Sequence, residues 1–124
     1  MNTKKKILIV EDNADLAEVY KQRLDLEGFE TILVTDGEKA LVTATELRPD
    51  LILLDVMMPE ISGFDVLDIL KNSDKTRNIK VILLTALSQL RDKKHAAELG
   101  ADDYLVKSGT DLDQVVNCVR QYVG

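Results

Sequence analysis

Leu51-Ile52-Leu53-Leu54 places four large apolar residues in a row and then stops at a carboxylate, Asp55. A half-exposed strand alternates apolar and polar residues. An unbroken apolar run fits a strand covered on both faces, as in a parallel sheet flanked by helices. Pro59 and Gly63 punctuate the turn that follows. In open parallel α/β sheets, ligands gather outside the carboxyl ends of the strands. Asp55 is therefore predicted at the mouth of the sheet, on a rigid strand and facing a loop. Taken alone, an aspartate in that place is better explained as a turn-capping residue. The rest of the chain changes the balance.

Ile7-Leu8-Ile9-Val10 is a second apolar run, and it too ends in acid, at Glu11-Asp12. Asn13 is suited to cap a following helix with Leu16, Val19, Tyr20 and Leu24 at helical spacing, stopped by Gly28. Phe29 to Val34 is β-prone, and Thr35-Asp36-Gly37 leads into a helix carrying Ala40, Leu41, Ala44 and Leu47. Gly63 opens a third helix with Phe64, Val66, Leu67 and Leu70, and a polar loop follows from Asn72 to Asn78. Val81-Ile82-Leu83-Leu84 is another doubly buried strand, ending at Thr85-Ala86. A fourth helix runs from Leu90 to Leu99, and Tyr104-Leu105-Val106 is a short strand ending at Lys107. Thr110 and Asp113 have capping-box spacing before a last helix with Leu112, Val115, Val116, Val119 and Val123 on one face.

Five strands alternating with five helices predict right-handed crossovers and one parallel, doubly wound sheet. The shorter and less uniformly apolar strands, Phe29 to Val34 and Tyr104 to Val106, suit its edges. A length of 124 residues suffices for one core without metal or disulfide support, so residues 1–124 read as one domain. The net charge of −6 argues against nucleic acid or an anionic membrane as a direct partner. Lys4-Lys5-Lys6 reads as a solvated flank of the first strand, and Cys118 as a partly buried spectator thiol. No apolar run approaches the roughly 18 residues needed to cross a bilayer, and no signal peptide is legible. A cytoplasmic location is expected.

A parallel sheet would bring Glu11, Asp12, Asp55, Thr85 and Lys107 to one rim. The three carboxylates there repel, at about 4 kcal/mol for two unit charges 4 Å apart in an effective dielectric of 20. A bound cation relieves that, and an oxygen-only donor set favours a hard ion, Mg²⁺ by default. With Mg²⁺ and Lys107 the charges cancel, and both cations can contact an incoming phosphoryl group. Thr85 adds a hydroxyl donor, and Asp55 remains as the nucleophile that forms a mixed anhydride.

Ile9-Val10-Glu11-Asp12-Asn13, Leu53-Leu54-Asp55-Val56-Met57-Met58-Pro59 with Ser62-Gly63, Leu84-Thr85-Ala86 and Gly100-Ala101-Asp102-Asp103-Tyr104-Leu105-Val106-Lys107 occur in this order. In these motifs, over essentially its whole length, the chain resembles a response-regulator receiver domain of two-component signalling. The resemblance implies a flavodoxin-like sheet of order 2-1-3-4-5. It implies a histidine kinase or phosphotransfer protein as partner, delivering phosphate from a phosphohistidine to Asp55. Glu11, Asp12, Asp55 and the backbone carbonyl of Met57 would hold Mg²⁺. It also implies a switch in which Thr85 moves toward the phosphoryl group and Tyr104 swings inward. The face of the fourth helix, fifth strand and fifth helix would then engage an effector protein in trans. Such a domain is a phosphoacceptor, not a turnover enzyme.

Two features depart from the pattern. Receivers usually carry proline after the lysine, often in a cis peptide, where this chain has Ser108-Gly109. A non-proline cis bond costs about 2.5–4 kcal/mol, so a trans bond and a rerouted loop are expected, with Lys107 still reaching Asp55. Met57 and Leu87 flank the phosphoryl path, and neither can orient an attacking water, so slow self-dephosphorylation is expected. His95 reads as a solvated helix residue.

Three other functions compete. A flavodoxin-type nucleotide binder shares the fold, but Glu11-Asp12 would repel a phosphate and no glycine-rich phosphate loop is present. An aspartate-nucleophile phosphatase needs an acid two residues after the nucleophile, where this chain has Met57. A phosphorylation-independent receiver-like adaptor is opposed by Asp55, Thr85 and Lys107 but kept open by Ser108. With no output domain legible in these 124 residues, signalling in trans is expected unless the chain is a piece of a longer regulator or hybrid kinase. Resemblance of Ala101-Asp102-Asp103-Tyr104 to receivers of winged-helix regulators adds phosphorylation-dependent homodimerisation as an expectation.

Overall fold

The computed structural model describes residues 3–124. Its strands are β1 (Lys6–Val10), β2 (Glu30–Val34), β3 (Leu51–Leu54), β4 (Lys80–Thr85) and β5 (Asp103–Val106). They alternate with α1 (Ala14–Leu26), α2 (Gly37–Leu47), α3 (Gly63–Lys71), α4 (Leu90–Glu98) and α5 (Leu112–Val123). All neighbouring strands pair in parallel in the order β2-β1-β3-β4-β5, so the two weaker strands lie at the edges as expected.

Strand side chains alternate between two cores. Leu8, Val10, Ile52, Leu54, Val81 and Leu83 meet α2, α3 and Ala96 of α4 on one face. Ile7, Ile9, Leu51, Leu53, Ile82 and Leu84 meet α1 and α5 on the other. Both faces of β1, β3 and β4 are therefore dry, which is why these strands carry continuous apolar runs. Cys118 is buried on the inner face of α5 and donates to Asp103 at 3.4 Å, and burial near that carboxylate pushes the thiol up to about 12.

The caps place the helix starts at the rim. Asn13, Asp36 and Ser62 accept from the backbone N–H groups of Leu16, Lys39 and Asp65. The last helix corrects the sequence reading. Its capping box is Asp111 with Gln114, one residue beyond the predicted Thr110 and Asp113. A 3-10 turn over Lys107–Gly109 takes up the chain after β5 and leaves Thr110 outside the helix. Asp113 pairs instead with Arg23 at 2.5 Å. The buried stripe of α1 is Ala17, Tyr20 and Leu24, whereas Val19 stays exposed despite its apolar spacing.

Candidate phosphoryl and metal site

The parallel register carries the ends of β1, β3, β4 and β5 to the same rim, and the five predicted residues arrive there together. The ladder extends one step past the strands, since the Asp55 N–H donates to the Val10 carbonyl at 3.1 Å. That bond fixes Asp55 beside Glu11. Glu11 and Asp55 are buried, while Asp12 is exposed at the edge of the cluster. One carboxylate oxygen from each of the three lies within 4.8 Å of the others.

Lys107 reaches into this cluster. Its Nζ is 2.8 Å from Asp55 Oδ2 and 2.5 Å from Glu11 Oε1. The second oxygen of Asp55 accepts from the Met57 N–H at 3.1 Å, and that of Glu11 from the Asn13 N–H at 3.2 Å. Burial, with the Asp55 charge adding to it, raises the Glu11 carboxyl above its ordinary value despite Lys107 and Asn13. Burial works against the Lys107 charge, but its hydrogen bonds to Asp55 and Glu11 outweigh that and hold the ammonium above its usual range. No cis peptide bond occurs among the described residues. The Lys107–Ser108 junction is trans as expected, and the 3-10 turn still aims the lysine inward.

Thr85 is fully buried at the end of β4, and its hydroxyl oxygen accepts from the Leu87 N–H at 3.4 Å. That bond uses the hydroxyl as an acceptor and leaves its hydrogen available to donate. Tyr104 packs half-buried on the α2–α3 side of the sheet and donates its hydroxyl to the Leu87 carbonyl at 2.8 Å. Thr85 and Tyr104 therefore both hold the same short loop between β4 and α4, at Leu87. Met57 is 54% exposed beside the carboxylates. His95 is exposed on α4, its ring edge-on to Phe64 at 4.7 Å.

The all-oxygen donor set suits a hard divalent cation, and the negative charge at Glu11, Asp12 and Asp55 exceeds what Lys107 can offset. The residues fit Mg²⁺ on that ground. Sequence reasoning missed Tyr20, which lines a cavity of about 10 Å³ directly under Glu11 and Asp55. Helical periodicity marked it as core but could not show which strand ends it underlies. No helix among the described residues is long and apolar enough to cross a membrane.

A family model described as the response regulator receiver domain matches residues 7–120. The DNA-binding dual master transcriptional regulator RpaA of Synechocystis sp. is 37% identical over 115 residues, covering 93% of this chain and 47% of that protein. The chain thus spans about half the length of RpaA and of several other curated regulators that it matches. The polar-differentiation response regulator DivK of Brucella anthropi is 35% identical, and the match covers 97% of each chain. The signal receiver domain of a histidine kinase from Syntrophus aciditrophicus superposes with a TM-score of 0.87 at 39% identity, covering 95% of this chain and 89% of its own. Fold, rim chemistry and likeness agree: the chain belongs to the response regulator receiver domain family of two-component systems.

Proposed function

We propose that the chain accepts a phosphoryl group on Asp55 from the phosphohistidine of a kinase or phosphotransfer protein. The observation that carries this reading is Lys107 bridging Asp55 and Glu11 within a cluster of three carboxylates. An Asp55 carboxylate oxygen attacks phosphorus, the P–N bond to the donor imidazole breaks, and the leaving nitrogen keeps the bonding pair. Asp55 becomes a mixed anhydride. Glu11, Asp12, Asp55 and the Met57 carbonyl would hold Mg²⁺, which supplies positive charge to the phosphoryl oxygens when bound. Lys107, already on Asp55, is placed to pair with one of those oxygens. Thr85 donates to another by turning its hydroxyl away from the β4–α4 loop.

Phosphorylation adds about −1.5 to −2 charges at the rim. Movement of Thr85 toward that charge draws on the loop that also accepts from Tyr104. Tyr104 then turns inward and reshapes the α4–β5–α5 face for an effector in trans. Dimerisation of the phosphorylated chain through the same face is a further reading, tested by sedimentation with a phosphoryl mimic. The contact between Lys107 and Asp55 favours phosphoacceptance over a phosphorylation-independent adaptor.

The test is intact mass after incubation with acetyl phosphate and Mg²⁺, for wild type and Asp55→Asn. One added phosphoryl group is expected on wild type, and none on the variant or without Mg²⁺. No adduct on a wild-type chain that binds Mg²⁺ would overturn the proposal in favour of the adaptor.

A further inference from the structure

Tyr20 approaches the rim from below. It lies in the second turn of α1, faces the sheet between Ala17 and Leu24, and is 8% exposed. Side chains on a helix lean toward its N-terminus, and α1 starts at the rim, so the ring climbs toward the carboxylates. There it closes a cavity of about 10 Å³ shared with Glu11, Asp55, Leu53 and Leu84, room for roughly one water. Burial raises the phenol above its ordinary value, and its hydroxyl feels the charges of Lys107, Glu11 and Asp55 together.

Glu11 has one more methylene than the aspartates beside it and so more rotamers to lose. Its carboxylate is nevertheless held in one place, with one oxygen on Lys107 and the other on Asn13. Lys107 cannot supply that restraint alone. It sits on a three-residue turn with exposed Ser108 and Gly109, and Gly109 has open space around it. A smaller side chain at position 20 would let Glu11 and Asp55 settle into the vacated volume.

We propose that Tyr20 is a positioning residue for phosphoryl acceptance: its ring fills the space beneath Glu11 and Asp55 and holds both carboxylates where they share Lys107. The inference rests on the proposed role of Asp55. It assigns the ring the positioning work and predicts that the hydroxyl is dispensable.

The experiment compares Tyr20→Phe and Tyr20→Leu with wild type in two measurements. The first records, in the metal-free protein, the carboxyl ¹³C resonances of Glu11 and Asp55 and the ammonium resonance of Lys107. The second is the rate of Asp55 modification by acetyl phosphate at saturating Mg²⁺. Tyr20→Leu is expected to shift the three site resonances, leave the Leu24 and Val119 amides in place, and slow modification about tenfold through misplacement. Tyr20→Phe is expected to match wild type in both. A leucine variant with wild-type resonances and rate would overturn the proposal, as would a phenylalanine variant as impaired as leucine. If Tyr20→Leu does not fold, Tyr20→Met takes its place under the same criteria. If wild type takes no phosphoryl group, the proposed function fails, and the metal-free resonances still decide whether Tyr20 positions the carboxylates.

Discussion

Lys107 Nζ stands 2.8 Å from Asp55 Oδ2, although 52 residues separate the two in the chain. The lysine enters from a 3-10 turn at the sheet's edge and crosses to a central strand end. It offsets part of the negative charge of the carboxylates that β1 and β3 force together.

Lys107→Met removes that cation and leaves Glu11 and Asp55, about 4% and 5% exposed in their side chains, facing each other unpaired. Breaking such a buried pair costs about 3–5 kcal/mol. The urea midpoint of the metal-free variant is expected to fall accordingly, and added Mg²⁺ to restore more stability to it than to wild type. Equal metal-free midpoints would refute the electrostatic account.

The raised Glu11 carboxyl has a definite pH signature. A carboxyl whose folded pKa is raised binds its proton more tightly in the folded state, so acidification favours folding between the folded value and the ordinary 4.5. Below 4.5 both states are protonated and the gain is constant. The stability of wild type relative to Glu11→Gln should therefore rise as pH falls through that window. Urea titrations at successive pH values check this, and a relative stability that falls would contradict it.

Met57 presents an exposed thioether beside Asp55 and cannot orient water. The phosphorylated chain is expected to lose its phosphoryl group slowly, and Met57→Asn to shorten its lifetime by about tenfold, less than the roughly 10²–10⁴-fold of a general base because an amide orients water without taking its proton. Timed intact mass after removal of acetyl phosphate measures both. Equal lifetimes would show that position 57 does not govern hydrolysis.

Asp102 ties the opposite rim. Its Oδ2 accepts from the Val81 N–H at 2.8 Å and from Lys71 Nζ at 3.1 Å, while Lys71 also donates to the Ile79 carbonyl at 2.8 Å. Asp102→Ala strands the Val81 N–H, at about 1–3 kcal/mol for an unsatisfied group, and takes the carboxylate from Lys71, which keeps its bonds to the Ile79 and Arg77 carbonyls. Asp102→Asn, which can still accept from Val81, should cost less. Denaturation of the two variants tests the order, and phosphorylation of Asp55 should proceed at the wild-type rate in both.

Much of this was legible in order along the chain. Doubly buried runs named β1, β3 and β4, acids and Lys107 at the strand ends named the rim, and the cap of α1 was readable at Asn13. Those signals are local, because burial on both faces and capping each leave a mark in adjacent residues. Other decisions required three dimensions. Gly63 read as a turn residue, yet its φ is ordinary, and a Cβ there would run into the Asp55 carbonyl and the Val56 backbone. The start of α5 moved one residue because a 3-10 turn, without a sequence signature, consumed Thr110. Tyr20 looked like any core aromatic until α1 was docked against β1 and β3, and Asp102 like any loop acid until Lys71 and Val81 arrived from distant segments. The sequence by itself determined which elements form and which rim carries the charge, since periodicity and strand-end residues are written one neighbour at a time. Only the tertiary structure decided which side chains support that rim, because close approach between distant segments is a property of packing and leaves no periodic trace.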